Sequence, residues 1–187
     1  MPTSKTIGSS ELHAALERLA TAIANRHAAS RALLLLGIAN GGVELARRLA
    51  ARLPALNPRL APRAGTVDIS FHRDDIGRHP IPKEFAPTQI PADVDGATVI
   101  LVDDVLFSGR TVKAALDELF DHGRPATVEL AVLVDRGGRR LPLAADYAGL
   151  ALPVADTEKV IVTLDAKNPK NDRIEIKSPA AIPRSST

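Results

Sequence analysis

The sequence predicts an α/β protein in which helices flank a central, mostly parallel β-sheet. Three apolar runs, at residues 32–38, 99–102 and 127–134, have the length and composition of strands that are buried on both faces. Stretches with apolar residues at helical spacing separate these runs, as in successive βα units. At 187 residues, the chain is long enough to bury a sizeable core, and we expect one domain over residues 9–177.

The first part of the chain should begin with a disordered segment, residues 1–8, and continue as a helix. Ser9 or Ser10 can cap this helix, which should end near His27. It would bury one apolar stripe formed by Leu12, Leu16, Leu19 and Ile23. After the first strand, a glycine-rich turn leads into a second helix, and Pro54 should end that helix.

The middle of the chain is rich in proline. Residues 54–65 predict a loop, and residues 66–71 alternate polar and apolar side chains as in a strand with one solvated face. Prolines then interrupt residues 77–91, which excludes a helix. A long loop of this kind inside a compact domain favours a functional segment such as a lid.

The second half should complete the sheet and add a smaller group of strands. Helical periodicity from Thr111 ends at His122-Gly123, where the glycine can form a C-cap. Further short strands are expected at residues 147–153, 159–164 and 173–177, the last two joined by a hairpin-type loop. We expect residues 178–187 to be a flexible tail.

Composition excludes several classes of site. There is no cysteine, hence no disulfide, no thiol nucleophile and no cysteine-bound zinc, and the five histidines are scattered without metal-ligand spacing. The sequence has no apolar run of membrane-spanning length and its polar start lacks a signal peptide, so we expect a cytoplasmic protein with no membrane contact. Residues 1–67 hold nine basic and three acidic residues, a net charge of +6 that leaves −4 for the remainder. This excess suggests a polyanionic partner such as nucleic acid, but on composition alone a solvated arginine surface is the favoured interpretation.

The strongest motif follows the apolar run 99–102. Asp103 and Asp104 come first, then a turn with Ser108 and Gly109, and then the helix that starts near Thr111. Ligands of open α/β sheets bind beyond the carboxyl ends of strands, and a helix N-terminus attracts phosphate. Adjacent carboxylates suit ribose hydroxyls or Mg²⁺. The motif therefore predicts a sugar-phosphate site, the alternative being a turn that the aspartates merely cap.

Two other loops should face the same crevice. The turn at residues 39–42 joins a strand to a helix N-terminus and is a candidate cradle for pyrophosphate. Residues 135–140 leave the carboxyl end of the strand at 127–134.

The stretch from Val99 to Thr111 resembles the phosphoribosyl-pyrophosphate (PRPP) motif of type I phosphoribosyltransferases, in which an acidic pair and a Thr/Ser-Gly-x-Thr turn follow an apolar strand. Other segments resemble the pyrimidine-operon attenuation regulators that double as uracil phosphoribosyltransferases, the PyrR family. These segments are Gly37-Ile38 with Gly42, Asp68-Ile69, His72-Arg73-Asp74-Asp75, Gly123-Arg124-Pro125 and Leu130 to Gly137. The similarity runs from the first helix to the strand at Lys159.

This resemblance implies the type I phosphoribosyltransferase fold, with a small hood and a flexible lid loop. The implied reaction converts uracil and PRPP to UMP and pyrophosphate. Asp103 and Asp104 would bind the ribose hydroxyls and Mg²⁺, directly or through water. The other implied site residues are Val105, Leu106, Phe107, Ser108, Gly109, Arg110 and Thr111 for the 5′-phosphate end of PRPP; Ala39, Asn40, Gly41 and Gly42 for pyrophosphate; Val134, Asp135 and Arg136 for the base; and Arg73, Asp74, Asp75, Arg78 and Lys83 for the lid.

The resemblance also implies a regulatory role. Members of the family bind leader RNA of pyrimidine operons through a basic surface of the dimer, and Arg18 and Arg26 match basic positions on the first helix. A homodimer or homotetramer is therefore implied. Thr21 and Gly138, however, stand where some members have histidine.

One departure concerns catalysis. Many members carry a Thr-Arg pair where this chain has Asn40-Gly41, so one cationic contact to pyrophosphate is missing, and Arg73, Arg78 or Lys83 would have to replace it. Two alternatives stay open: an RNA-binding regulator with weak or no enzymatic activity, and a phosphoribosyltransferase for another base.

Overall fold

The computed structural model describes residues 4–29, 32–70, 72 and 87–178. The elements in chain order are β1 (Ser4–Ile7), α1 (Ser9–Arg26), β2 (Ala32–Ile38), α2 (Gly41–Leu56), β3 (Ala61–Val67), β4 (Thr98–Leu106), α3 (Arg110–Asp121), β5 (Thr127–Asp135), β6 (Tyr147–Ala151), β7 (Lys159–Thr163) and β8 (Arg173–Lys177). The predicted lid residues Arg73, Asp74, Asp75, Arg78 and Lys83 and the tail beyond residue 178 lie outside the described residues. No described helix is long and apolar enough to cross a membrane.

The central sheet confirms the predicted α/β class. Its five strands are all parallel and lie in the order β3-β2-β4-β5-β6. The acidic strand β4 is therefore the middle strand, and β6 lies at one edge, as predicted. Because the strands are parallel, the loops after β2, β4 and β5 emerge at the same end of the sheet.

Aliphatic side chains cover both faces of the sheet. On one face, α1 and α2 bury a core that includes Leu12, Leu19, Ile23, Leu45 and Leu49 against the strands. On the other face, α3 contributes Val112, Ala115 and Leu119. Fully burying one large apolar side chain stabilises the fold by about 1.5–3 kcal/mol, so these stripes determine which face of each helix packs against the sheet.

A second, three-stranded antiparallel sheet forms the hood, in the order β1-β8-β7. Its first strand corrects the expectation of a disordered start, because Ser4–Ile7 pairs with Arg173–Lys177. The pairing partner lies some 170 residues away in the sequence, and local pattern could not reveal it. The two strands predicted near residues 159–164 and 173–177 form the rest of the hood, joined by a loop with a short 3₁₀ turn.

A buried ion-pair cluster around Asp172 connects the hood to the helices. The Asp172 side chain is fully buried and accepts hydrogen bonds from Arg48 Nη1 of α2 (2.5 Å) and the backbone N–H of Asp165 (2.8 Å). It also contacts His13 Nε2 of α1 at 2.8 Å. Burial alone would raise the pKa of Asp172, but Arg48, His13 and the Asp165 N–H outweigh it and hold this pKa below its usual range.

Two predictions for the middle of the chain are wrong in detail. Pro54 lies inside the last turn of α2, which continues to Leu56. The proline removes only one backbone hydrogen bond, and the last turn still closes because the Asn57 N–H donates to Leu53 O (2.9 Å). The strand lies at Ala61–Val67 and not at residues 66–71. As an edge strand it tolerates Pro62, and it ends where the Asp68 side chain accepts the Ser70 N–H in a turn.

Candidate active site

The acidic pair lies inside the central strand. Because β4 stays paired with β5 as far as Leu106, Asp103 and Asp104 belong to β4 and do not follow it, which corrects the expected strand end. Asp103 is 5% exposed, and its carboxylate accepts the backbone N–H of Asp104 at 3.0 Å. Burial raises the pKa of both carboxyl groups, and the charge of Asp104 raises that of Asp103 further.

This environment fits a cation. Within the described part of the chain, no basic side chain forms an ion pair with Asp103 or Asp104. Their oxygens are the hard ligands that Mg²⁺ prefers. A divalent cation would supply the charge compensation that the described residues do not provide at this point.

The glycine turn at the start of α2 lies directly against the acidic pair. A Cβ atom on Gly41 would lie 2.5 Å from Asp104 Cγ, and one on Gly42 would overlap the carbonyl oxygen of Val102. The Ala39–Asn40 peptide bond is cis, and the Asn40 side chain makes no capping hydrogen bond to α2. The predicted pyrophosphate turn and the predicted ribose carboxylates are thus brought together, with helix N–H groups left for a ligand.

The turn after β4 presents a second helix N-terminus. Gly109 is the N-cap of α3 and has φ +92°, a left-handed conformation that favours glycine. The Ser108 carbonyl accepts the N–H groups of Arg140 and Leu141 at 3.0 and 3.1 Å, which fixes the turn against the loop after β5. Residues 107–111 therefore have the strand-turn-helix geometry that the motif predicted for a phosphate.

The loop after β5 meets this turn through Arg136. Its guanidinium stacks on the Phe107 ring, 4.0 Å from the centroid, and donates to the carbonyls of Glu158 (2.8 Å) and Ala155 (2.9 Å). Arg136 is 5% exposed, and its Nε has no partner within the described structure. These contacts hold Arg136 against the turn after β4 and the residues before β7, and its contact with the base stays a prediction.

Sequence reasoning missed Arg139, which connects the two loops. Its Nη1 donates to the Phe107 carbonyl at 2.8 Å and its Nη2 to Asp135 Oδ2 at 2.5 Å. Asp135 also accepts the Gly137 N–H at 3.0 Å. Asp135 and Arg139 are opposite charges four residues apart, directly after a predicted strand, and this spacing could have indicated their contact.

The two arginines predicted to bind RNA both make contacts within the protein. Arg18 donates through Nε and Nη2 to the carbonyl of Gly149, at 3.1 and 2.9 Å. Arg26 Nε lies 2.9 Å from Glu129 Oε1, although half of the Arg26 side chain is exposed. The structure therefore gives both residues a structural contact on the α1 side of β5 and β6.

Comparison with known proteins agrees with this geometry. The family model for the phosphoribosyl transferase domain matches residues 8–167. A Streptomyces coelicolor relative named bifunctional protein PyrR is 49% identical over 167 residues, covering 89% of this chain and 86% of its own. A Geobacter sulfurreducens relative of the same name is 46% identical over 158 residues, covering 84% and 89%.

Solved structures match the fold at lower identity. A hypoxanthine phosphoribosyltransferase from Trypanosoma cruzi, in complex with its product IMP, has a TM-score of 0.67 at 21% identity and covers 94% of this chain and 91% of its own. These likenesses support the type I phosphoribosyltransferase architecture. The chain therefore belongs to the phosphoribosyl transferase domain family and, within it, to the PyrR group of proteins.

Proposed function

We propose that this protein is a uracil phosphoribosyltransferase, which converts uracil and PRPP to UMP and pyrophosphate. The observation that carries the proposal is the contact of Gly41 with the Asp104 carboxylate, beside a second helix N-terminus at Gly109. Two anion-binding helix starts then flank one pair of carboxylates, an arrangement that suits a ribose bearing a phosphate at one end and a diphosphate at the other.

Each predicted group of residues binds one part of PRPP. Asp103 and Asp104 accept hydrogen bonds from the ribose hydroxyls, and residues 107–111 hold the 5′-phosphate with N–H groups and hydroxyls. Residues 39–42 receive the pyrophosphate through the first N–H groups of α2. The proposed lid residues, Arg73, Arg78 and Lys83 among them, would add the cationic contact that Gly41 lacks.

Catalysis then depends on positioning and charge. As the bond between ribose and pyrophosphate loosens, positive charge grows on the anomeric carbon, and fixed carboxylates nearby stabilise it. Mg²⁺, held by Asp103 and Asp104 directly or through water, would neutralise charge on the diphosphate. Uracil would lie against Val134, Asp135 and Arg136, and Arg139 and the Gly137 N–H fix the orientation of the Asp135 carboxylate.

The test is a base-by-base assay. The protein is incubated with PRPP, Mg²⁺ and either uracil, guanine, hypoxanthine, xanthine or adenine, and nucleotide formation is followed by chromatography. We expect UMP from uracil alone. A nucleotide from another base would favour the alternative specificity, and UMP binding without any product would overturn the enzymatic proposal.

We also propose that the protein binds pyrimidine-operon leader RNA in a UMP-dependent way. The proposal is supported by membership of the PyrR group and by Arg18 and Arg26 on α1. Affinity should rise with UMP and fall with salt, because arginine–phosphate contacts release counterions. Arg18→Ala should weaken binding, and Arg59→Ala, an exposed arginine on the loop after α2, is the control. An affinity that is indifferent to UMP and to Arg18→Ala would contradict the proposal.

A homodimer or homotetramer is the proposed assembly, since the family's RNA surface is built by the dimer. Sedimentation velocity with and without UMP measures it. A monomer at micromolar concentration would contradict both this assembly and the RNA surface that depends on it.

A further inference from the structure

A cluster of two histidines and two carboxylates lies outside all of the sites described above. His72 Nε2 is 3.1 Å from Glu118 Oε2 and 3.3 Å from Asp121 Oδ2. His122 Nε2 is 3.1 Å from the other oxygen of Glu118. One ligand atom each from His72, Glu118 and Asp121 lies within 4.8 Å of the others.

The fold explains why these residues meet. Glu118 and Asp121 are three residues apart near the end of α3, and His122 follows as its C-cap, so the three share one side of the helix. His72 comes from the chain after β3, where its N–H donates to Ile69 O at 3.0 Å. The cluster therefore joins two separate parts of the chain, which helical periodicity alone could not bring together.

The spacing is that of ligands around one metal ion. A tetrahedral zinc ion with bonds of about 2.0–2.1 Å has ligand atoms about 3.3 Å apart. His72 Nε2 lies 3.1 Å from Glu118 Oε2 and 3.3 Å from Asp121 Oδ2, and the three ligand atoms all lie within 4.8 Å of one another. Small adjustments of these side chains would let one ion replace the present contacts between them.

The charge and access of the cluster also suit a cation. In the portion of the chain that the structure describes, no lysine or arginine pairs with Glu118 or Asp121. With neutral imidazoles, the two carboxylates leave a charge of −2, which a divalent ion would balance. The Asp121 side chain is 70% exposed and Glu118 only 15%, so an ion could enter from solvent and bind partly buried groups.

A second hydrogen-bond layer already holds the central ligand. Thr88 Oγ1 donates to Glu118 Oε1 at 2.6 Å and accepts the Asp68 N–H at 3.0 Å. Outer contacts of this kind orient metal-binding carboxylates. Asp68 and Thr88 thus fix Glu118 before any ion arrives.

We propose that His72, Glu118 and Asp121 form a binding site for a divalent transition metal of the zinc class, with water completing the coordination and His122 holding the second oxygen of Glu118. Imidazole nitrogens favour such ions over Mg²⁺, whose preferred ligands are all oxygen. The site is therefore chemically distinct from the acidic pair of β4. A bound ion would connect the chain after β3 to the end of α3 without taking part in the transfer reaction.

The test uses Co²⁺ and Zn²⁺ with the full-length protein after removal of metals by chelator. We expect one equivalent of Co²⁺ to produce the visible absorption of a four-coordinate N/O site, and Zn²⁺ to displace it and raise the Tm. His72→Gln and Glu118→Gln should each weaken Co²⁺ binding at least tenfold, as should the exposed Asp121→Asn, which is expected to fold normally.

Matched controls separate this site from others. His13→Gln removes a histidine that also pairs with a carboxylate, and Asp104→Asn removes the other metal-binding candidate; both should leave the Co²⁺ spectrum unchanged. The proposal is overturned if no spectrum appears at 100 µM Co²⁺, or if the three cluster variants bind as tightly as the unmodified protein. An equal loss in His13→Gln would overturn it too.

Discussion

Two regions of the described structure that bury carboxylates differ in how those carboxylates are compensated. Asp172, between the hood and the helices, has Arg48, His13 and a backbone N–H around it, and its pKa is lowered. Asp103 and Asp104, at the carboxyl end of β4, have no such cation in the described structure, and burial raises the pKa of both. A buried carboxylate whose charge is balanced by neighbouring cations stabilises the fold. A buried carboxylate without such a partner in the described structure is suited to binding a ligand.

The largest expected effect is the loss of stability on removing the Asp172 carboxylate. Asp172→Ala removes the partner of a mostly buried arginine, and such a loss costs about 3–5 kcal/mol of unfolding free energy. Urea denaturation measures the cost. The rate of UMP formation per folded molecule should stay near normal, since the partners of Asp172 in the described structure are His13, Arg48 and Asp165 and none of the proposed site residues. A stability within 1 kcal/mol of the unmodified protein would contradict this role.

Asp104→Asn tests the role of the acidic pair in β4. We expect kcat/KM for UMP formation to fall on the order of 10²-fold, because a charge near the developing cation is lost while the shape is kept. The Tm should not fall, in contrast to Asp172→Ala. Normal kcat/KM in a correctly folded variant would remove Asp104 from the mechanism.

The pH dependence of stability should separate the regions further. A lowered pKa means that Asp172 stabilises the fold above the usual aspartate pKa of about 4 and that this contribution is lost as the pH falls through its folded value. The difference in unfolding free energy between the unmodified protein and Asp172→Asn should therefore shrink below about pH 4. A difference that stays constant from pH 7 to pH 3 would contradict the lowered pKa.

The smallest expected effect is a gain in stability for Asp103→Asn, in contrast to the loss expected for Asp172→Ala. Because the pKa of Asp103 is raised, ionising it in the folded state costs stability as the pH rises above about 4. Asp103→Asn removes this cost and keeps the oxygen that accepts the Asp104 N–H, so we expect a gain of about 1 kcal/mol at pH 7 together with lower activity. Thermal unfolding at pH 4 and pH 7 provides the measurement, and a variant less stable at pH 7 would contradict it.

Local pattern predicted the part of the site that is built from consecutive residues. The apolar run before Asp103 and the helical stripe after Thr111 fixed the order of strand, turn and helix, and glycines marked both helix starts. The β3 edge strand was missed because Pro62 and Gly65 have low strand propensity, and only pairing with β2 makes them extended.

Long-range contacts were beyond the reach of such patterns. His72 and His122 looked scattered because 50 positions separate them in sequence, yet both reach Glu118. The sequence pattern also did not reveal that the carbonyls of Ala155 and Glu158 hold the guanidinium of Arg136. In each case the partner is chosen by the fold and not by the neighbouring sequence.

The close approach of Gly42 to Val102 has a consequence for engineering. The start of α2 lies too close to the middle strand to leave room for a side chain at Gly42. A change in the predicted pyrophosphate turn therefore requires a matching change in β4. The loop after β5 has no such restriction at Gly137, where an added Cβ would meet open space, although its φ of +75° still favours glycine. Attempts to change which base is accepted should therefore begin at Gly137 and leave the first turn of α2 intact.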